Sequence, residues 1–129
     1  MRSKRKLLIE HLDQKLDPFF NSRTVVVPER GWINAIRVAM NMTLEQLGSK
    51  LNITRQGVQR IEESEAGGRI SLNSLEDVAE AMDLKLVYAL VPKDGTIDEL
   101  IQIKAEQLAE KIVLRTNQNM KLEDQGIGD

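Results

Sequence analysis

Apolar residues recur every three or four positions along most of this chain, which is the pattern of amphipathic helices. The segments that show it are residues 4–16, 32–40, 43–62, 71–82 and 96–115. The run LKLVYALV at 84–91 alternates instead with a period of two and is rich in branched and aromatic residues, which favours a β-strand. Three valines followed by Pro28 disfavour a helix over residues 21–30. The pattern predicts a mainly α fold with one short strand.

The segment TLEQLGSKLNITRQGVQRIE, residues 43–62, predicts two helices joined by a tight turn. Thr43 is a good helix N-cap, and Gln46 three residues later completes a capping box. Asn52 tolerates the left-handed conformation that ends a helix, and Thr54 is a second N-cap. A helix, a turn of three or four residues and a short second helix form a helix-turn-helix motif.

The outward face of the second helix carries the candidate chemistry. Val58 and Ile61 form its apolar side, which leaves four polar residues pointing outward: Arg55, Gln56, Gln59 and Arg60. Arginine can donate two hydrogen bonds to guanine, and glutamine can pair with adenine in the same bidentate way. The alternative is that these residues form an ordinary solvated surface. Between them, Gly57 would allow a close approach of backbone or phosphate.

A glycine-containing loop, ESEAGGRI, follows the motif and contains Arg69. This arginine is a candidate phosphate contact, or else a plain surface charge. Ser71 would cap the next helix. The helices from residue 31 onward are short and closely connected, which predicts a compact bundle around one core.

Charge is distributed unevenly along the 129 residues, although the formal net charge is only −2. Residues 1–30 hold seven basic and four acidic side chains, and residues 94–129 hold four basic and eight acidic ones. The basic run at the start, Arg2 with Lys4, Arg5 and Lys6, is either a phosphate contact or a solvated arm. Phosphate contact is therefore expected to be local and modest.

Composition excludes several classes of protein. The chain has no cysteine and one histidine, so we expect no disulfide, no metal site and no cofactor. An aromatic content of 3 % is too low for a binder that stacks single-stranded bases. No nucleophile–base pair or phosphate loop is recognisable, so we expect no enzyme. No apolar run is long enough for a membrane span and the start is a poor signal peptide, which predicts a cytoplasmic protein.

The expected organisation has three parts. Residues 1–30 form an N-terminal helix and extended arm, residues 31–93 form the DNA-binding domain with the following strand, and residues 94–129 form an amphipathic helix and a loosely ordered polar tail. A lone strand must pair with something, either Val25–Val27 or its twin in a second subunit of a homodimer. The C-terminal helix is an interface for the dimer or for another protein.

Between Gly31 and about Leu84 the sequence resembles the Xre/lambda-repressor-like helix-turn-helix proteins. More narrowly, it is similar to the bacterial family called mobile mystery protein A. That resemblance rests on the RGW entry, the TRQ turn, the segment IEESEAGGRISLNSL and the strand LVYALVP. These parts cover roughly half of the chain and imply a lambda-repressor-like bundle with flanking terminal helices.

The resemblance also implies a function and partners. It implies a DNA-binding protein that is the antitoxin or regulator of a toxin pair with a Fic-domain companion. Independently of the resemblance, a symmetric dimer would have the two-fold geometry of an operator, so we expect a transcriptional repressor that binds double-stranded palindromic operator DNA as a homodimer. Arg55, Gln56, Gln59 and Arg60 match positions that face bases, and Thr43 and Thr54 match helix N-termini near phosphate. The alternative is an antitoxin that neutralises the Fic protein by direct contact. The sequence lacks the Ser/Thr-x-x-x-Glu-Gly/Asn pattern of Fic-inhibitory segments.

Overall fold

The computed structural model describes the backbone of residues 3–127 and the side chains of residues 3–122. Most of this part of the chain is helical. A short 3-10 helix, Asn21–Thr24, follows the first of six α-helices: α1 Lys4–Phe20, α2 Gly31–Ala39, α3 Leu44–Leu51, α4 Arg55–Ala66, α5 Leu72–Ala81 and α6 Ile97–Ile127. The prediction of a mainly α fold with flanking terminal helices is therefore confirmed.

The chain divides into two compact units. One unit spans residues 25–88 and contains α2, α3, α4 and α5, whereas the other combines residues up to 24 with residues from 89 onward and contains α1 and α6. The core of the first unit draws on all four of its helices. Its buried hydrophobic residues are Ile33, Leu47, Val58, Val78 and Met82.

The helix boundaries follow local sequence signals. Ser3 caps α1 by accepting a hydrogen bond from the Lys6 amide at 3.2 Å, and Ser71 caps α5 by accepting one from the Ser74 amide at 3.1 Å. Pro18 lies inside α1, and the helix continues to Phe20. A proline in the last turn removes a single helical hydrogen bond, so the helix can continue past it.

The predicted strand at 84–91 is absent from the structure, and residues 3–127 contain no strand at all. A strand requires backbone hydrogen bonds to a neighbouring segment. Residues 85–91 make none with Val25–Val27 or with any other described backbone. Val87, Tyr88 and Leu90 are exposed. The period of two indicated a surface suited to pairing, but no described segment of the chain pairs with it.

The C-terminal helix is longer than the sequence pattern suggested. The tail was expected to be loosely ordered, yet α6 continues from Ile97 to Ile127, and Gly128 and Asp129 lie outside the described residues. Between Arg115 and Gln125 the chain has no proline or glycine, and its Lys, Leu, Met, Gln and Glu residues favour helix. Polarity was therefore a poor guide to order in this segment.

The start of α6 is fixed by α1, and the two helices pack against each other. Thr96 caps the helix by accepting a hydrogen bond from the Glu99 amide at 3.2 Å. The Asp13 carboxylate of α1 accepts hydrogen bonds from the amides of Ile97 at 2.7 Å and Asp98 at 3.2 Å. A side chain distant in sequence thus occupies the N-terminus of α6, where negative charge is favourable.

Candidate DNA-binding surface

The turn between α3 and α4 is tight because two residues permit it. Asn52 has φ 57° and ψ 39°, the left-handed conformation that its sequence position predicted. Gly48 is the second requirement, because a Cβ there would lie 2.7 Å from the carbonyl oxygen of Ile53. The Ile53 amide also donates to the Gly48 carbonyl at 2.9 Å. Only glycine allows the turn to fold back this closely onto α3.

Both helices of the motif begin at the threonines that the sequence indicated. Thr43 accepts a hydrogen bond from the Gln46 amide at 3.0 Å, and the Gln46 side chain accepts one from the Thr43 amide at 2.8 Å. The hydroxyl of Thr54 accepts one from the Gly57 amide at 3.1 Å. The predicted capping box and second cap are confirmed. Each threonine lies at a helix N-terminus, where backbone N–H groups favour an anion.

The two helices are held together by side chains that are completely removed from solvent. Leu47 of α3 and Val58 of α4 each have 0 % of their surface exposed. Ile61 lies one turn beyond Val58 and packs against the same core. Because these residues fix one side of α4, its opposite side faces solvent.

A buried charged network ties α4 to α2. Glu62 is only 7 % exposed and accepts hydrogen bonds from the Arg37 Nε at 2.7 Å and from the Asn34 side-chain amide at 2.7 Å. Arg37 also donates to the Glu62 Oε1 at 3.1 Å and to the Met42 carbonyl at 2.9 Å. With these bonds, a carboxylate and a guanidinium can lie inside the protein without losing hydrogen-bond partners. The network holds α4 against α2 at Glu62.

A second carboxylate joins the same two helices. Glu65 of α4 accepts hydrogen bonds from the amides of Trp32 at 2.8 Å and Ile33 at 2.9 Å, and so caps the N-terminus of α2. Gly31 has φ +88°, and a Cβ there would lie 2.5 Å from the Glu65 carboxylate. Glycine at this position therefore lets the carboxylate approach the helix end.

Sequence reasoning missed this network, although a signal was present. Val58, Glu62 and Glu65 are spaced by four and three residues, so the two glutamates lie on the core side of α4. A charged residue in the register of core positions must have a partner. Arg37, four residues after Ile33 on α2, occupies the corresponding position on that helix.

The predicted outward face of α4 is exposed to solvent. Arg55, Gln56, Gln59 and Arg60 are all exposed, and they lie within the first half of the helix. The guanidinium of Arg55 is 3.4 Å from the carboxylate of Glu45 on α3, and both side chains are more than half exposed. Such an open contact is weak, so it can exchange for another partner of Arg55.

Gly57 and Arg69 are placed differently from the four polar residues. A Cβ on Gly57 would lie 3.3 Å from the Ile53 side chain, so the glycine leaves room for the turn. Arg69 is exposed beyond the C-terminal end of α4, and its guanidinium lies over Gly67. The structure therefore brings Thr43, Thr54 and the four polar residues of α4 together around the motif but leaves Arg69 at the other end of the helix.

The N-terminal basic residues belong to the other unit. Lys4, Arg5 and Lys6 are exposed in the first turn of α1, and Arg2 lies outside the described residues.

Within residues 3–127, none of the helices combines the length and the apolar character that crossing a bilayer requires.

Comparison with known proteins identifies the domain. Residues 33–88 match the family of helix-turn-helix domains, a span that includes α3, α4 and α5 and nearly all of α2. Neither the curated proteins nor the solved structures gave a match to the chain. The match and the geometry define residues 33–88 as a helix-turn-helix domain, a kind of domain that typically binds DNA.

Proposed function

We propose that this chain is a sequence-specific transcriptional repressor that inserts α4 into the major groove of its operator. The observation that carries the proposal is the exposed face of Arg55, Gln56, Gln59 and Arg60 on a helix whose other side is fixed in the core. A recognition helix contacts base edges through residues near its N-terminus, and these four residues lie there. The protein acts in the cytoplasm, and it acts by binding DNA rather than by catalysing a reaction.

The operator is palindromic and the protein binds it as a homodimer. A single helix of this length reads only a few base pairs, and a two-fold symmetric protein doubles the number of base contacts on a two-fold symmetric site. Thr43 and Thr54 place the N-terminal amides of α3 and α4 against phosphate. Arg69 contributes a more distant phosphate contact.

The protein is also the antitoxin of a pair with a Fic-domain companion, whose synthesis it represses. This part of the proposal rests on the similarity to the mobile mystery protein A family in the RGW entry, the TRQ turn and the segment that follows α4. The lack of a Fic-inhibitory sequence pattern favours control of synthesis over insertion of an inhibitory segment into the enzyme.

Binding to the DNA upstream of its own coding region tests the central proposal. We expect a specific mobility shift in the presence of competitor DNA, and a steep loss of affinity between ~50 and ~200 mM salt, because several phosphate contacts release counterions. A protein that shows no preference for its upstream DNA at either salt concentration is not an operator-binding repressor.

A pair of matched double variants tests the assigned face. Gln56→Ala with Gln59→Ala should lower specific affinity by at least ~10-fold, because bidentate contacts to bases are lost. Gln107→Ala with Gln118→Ala makes the same chemical change at exposed positions of α6 and should leave affinity unchanged. If both double variants bind like the wild type, α4 does not read the bases.

A second candidate function is direct neutralisation of the Fic-domain companion by the terminal segments. The exposed apolar side chains of α6, such as Leu108 and Ile112, favour a protein contact there. Co-expression with the companion, followed by size-exclusion chromatography, separates the two candidates. A stable complex in the absence of DNA supports direct neutralisation, whereas separate elution leaves repression as the means of control.

A further inference from the structure

Within the residues that the structure describes, the unit that contains α1 and α6 has no hydrophobic core of its own. All five buried hydrophobic residues of the described chain lie in residues 25–88. Among the side chains described in the α1–α6 unit, Pro92 alone is buried. Leu8, Leu90 and Leu108 of this unit are 69 %, 90 % and 60 % exposed. A unit that exposes so much apolar surface has the character of an interface.

A continuous apolar stripe runs along α6. Ile101, Ala105, Leu108 and Ile112 are spaced by four, three and four residues, which places them on one face of the helix. Ile101, near the end of α6 that Asp13 caps, is half-buried, whereas Leu108 is 60 % and Ile112 is 57 % exposed. The stripe is therefore partly covered at Ile101 and uncovered at Leu108 and Ile112.

The difference in length between the two helices leaves residues of α6 uncovered beyond the stripe as well. At a rise of about 1.5 Å per residue, the 17 residues of α1 span about 26 Å and the 31 residues of α6 span about 46 Å. Even a perfectly aligned α1 would leave 14 residues of α6 without a neighbour. Tertiary packing is the main source of helix stability in water, so this length of helix requires another partner.

The shorter helix also keeps an uncovered apolar row. Leu8 and Leu12 lie one turn apart on α1 and are 69 % and 42 % exposed. Two packed helices enclose no interior, whereas four helices can surround a core. A second copy of the chain supplies two more helices with the same apolar rows, and two-fold symmetry closes the arrangement.

The available surface is sufficient for a stable dimer. If about half of α1 and about half of residues 97–122 of α6, whose side chains are described, faced the partner, each copy would contribute about 21 residues, at the lower end of the 20–30 per side of a typical stable interface. From the uncovered stripe and this extent of surface, we infer that a second copy of the chain covers the stripe Ile101, Ala105, Leu108 and Ile112, so that α1 and α6 of two copies form the dimer. The inference rests on the proposed function in one respect, because a palindromic operator requires two reading helices.

Sedimentation equilibrium of the full chain, without DNA, tests the inference. The wild type should be a dimer at ~20 µM, and Leu108→Asp with Ile112→Asp should raise the dimer dissociation constant at least ~30-fold, because two charges would enter a desolvated contact. Circular dichroism at a concentration where both proteins are monomeric should show equal helix content in the two, which separates loss of association from loss of folding.

Leu114→Asp is the matched control. Leu114 is as exposed as Leu108, at 60 %, and lies six residues further along the same helix, about 120° around its axis, so it is outside the stripe. This variant should remain a dimer. A monomeric wild type, a stripe variant that dimerises like the wild type, or equal weakening by Leu114→Asp would each overturn the inference.

DNA binding is measured separately, so that failure of the inference and failure of the proposed function remain distinguishable. Arg60→Ala should lose operator affinity and stay a dimer, whereas the stripe variant should lose affinity for a full palindrome and keep weak binding to a half-site. A dimer formed through the stripe that binds no operator would refute the proposed function alone. If the wild type binds the operator and the Leu108→Asp, Ile112→Asp variant is still a dimer, the inference alone is refuted.

Discussion

At the scale of single residues, the helix-turn-helix domain depends on charged groups in unusual places. Glu62 is buried, with three hydrogen bonds to its carboxylate from Arg37 and Asn34. A buried ion pair of this kind gains little over an apolar pair of the same shape, but loss of one partner leaves the other charge without compensation. Removal of one partner therefore lowers the free energy of unfolding by much more than the intact pair raises it relative to an apolar pair.

Removal of the buried carboxylate should therefore be severe. We expect Glu62→Ala to lower the free energy of unfolding by ~3–5 kcal/mol, because Arg37 would remain buried without its partner. Urea unfolding followed by circular dichroism measures the effect. Glu63→Ala is the control, since Glu63 is the exposed neighbour on the same helix and its loss should change stability by less than ~0.5 kcal/mol. Equal effects of the two substitutions would mean that the Arg37–Glu62 pair does not hold α4.

At the scale of secondary-structure elements, the ends of helices were easier to predict than contacts between segments that are distant in sequence. Thr43, Asn52 and Thr54 determine helix ends through contacts within a few residues, so sequence alone located them. The strand at 84–91 could not be decided in this way, since a strand exists only with a hydrogen-bonded neighbour. The role of Asp13 was equally hidden, because the helix end that it caps lies 84 residues away in sequence.

For the candidate site, the same division applies. The exposed face of α4 followed from its period, because Val58 and Ile61 define the opposite side. The need for glycine at position 48 depends on how closely the Ile53 carbonyl returns to α3, a distance that no local pattern encodes. Local signals thus located the exposed polar face of α4, and long-range contacts determine how firmly α4 is held.

The cap that α1 supplies to α6 should be measurable. Asp13→Asn should weaken the first turn of α6 and lower the free energy of unfolding of the α1–α6 unit by ~1 kcal/mol, because a charged acceptor at a helix N-terminus becomes neutral. Asp17→Asn is the control, because it makes the same change at an exposed residue of α1 outside the capping contact. Thermal unfolding of the two variants side by side gives the comparison, and equal melting temperatures would argue against the cap.

At the scale of the whole molecule, the two units differ in how they are stabilised. Residues 25–88 enclose a core with members from α2, α3, α4 and α5, whereas many of the apolar side chains described on α1 and α6 are exposed to water. A unit with its own core folds independently of concentration. A unit that completes its core with a second copy is stabilised by mass action.

Thermal unfolding should therefore depend on protein concentration for one unit only. Between ~2 and ~200 µM we expect the melting temperature of the α1–α6 unit to rise and that of residues 25–88 to stay constant. The Leu108→Asp, Ile112→Asp variant should lose this dependence, and Leu114→Asp should keep it. Residue-resolved nuclear magnetic resonance across the melt assigns each transition, and a melting temperature independent of concentration in both units would contradict the expectation.

The carboxylate of Glu65 has a consequence for deuterium exchange. The first amides of a helix lack acceptors within that helix and normally exchange freely with solvent. In this chain, the amides of Trp32 and Ile33, at the start of α2, donate to Glu65 of α4. Their exchange must therefore slow while α4 is formed and accelerate when α4 opens. The exchange rates of these two amides, which lie far along the chain from Arg55, Gln56, Gln59 and Arg60, thus report on the opening of α4, the helix that carries those four residues.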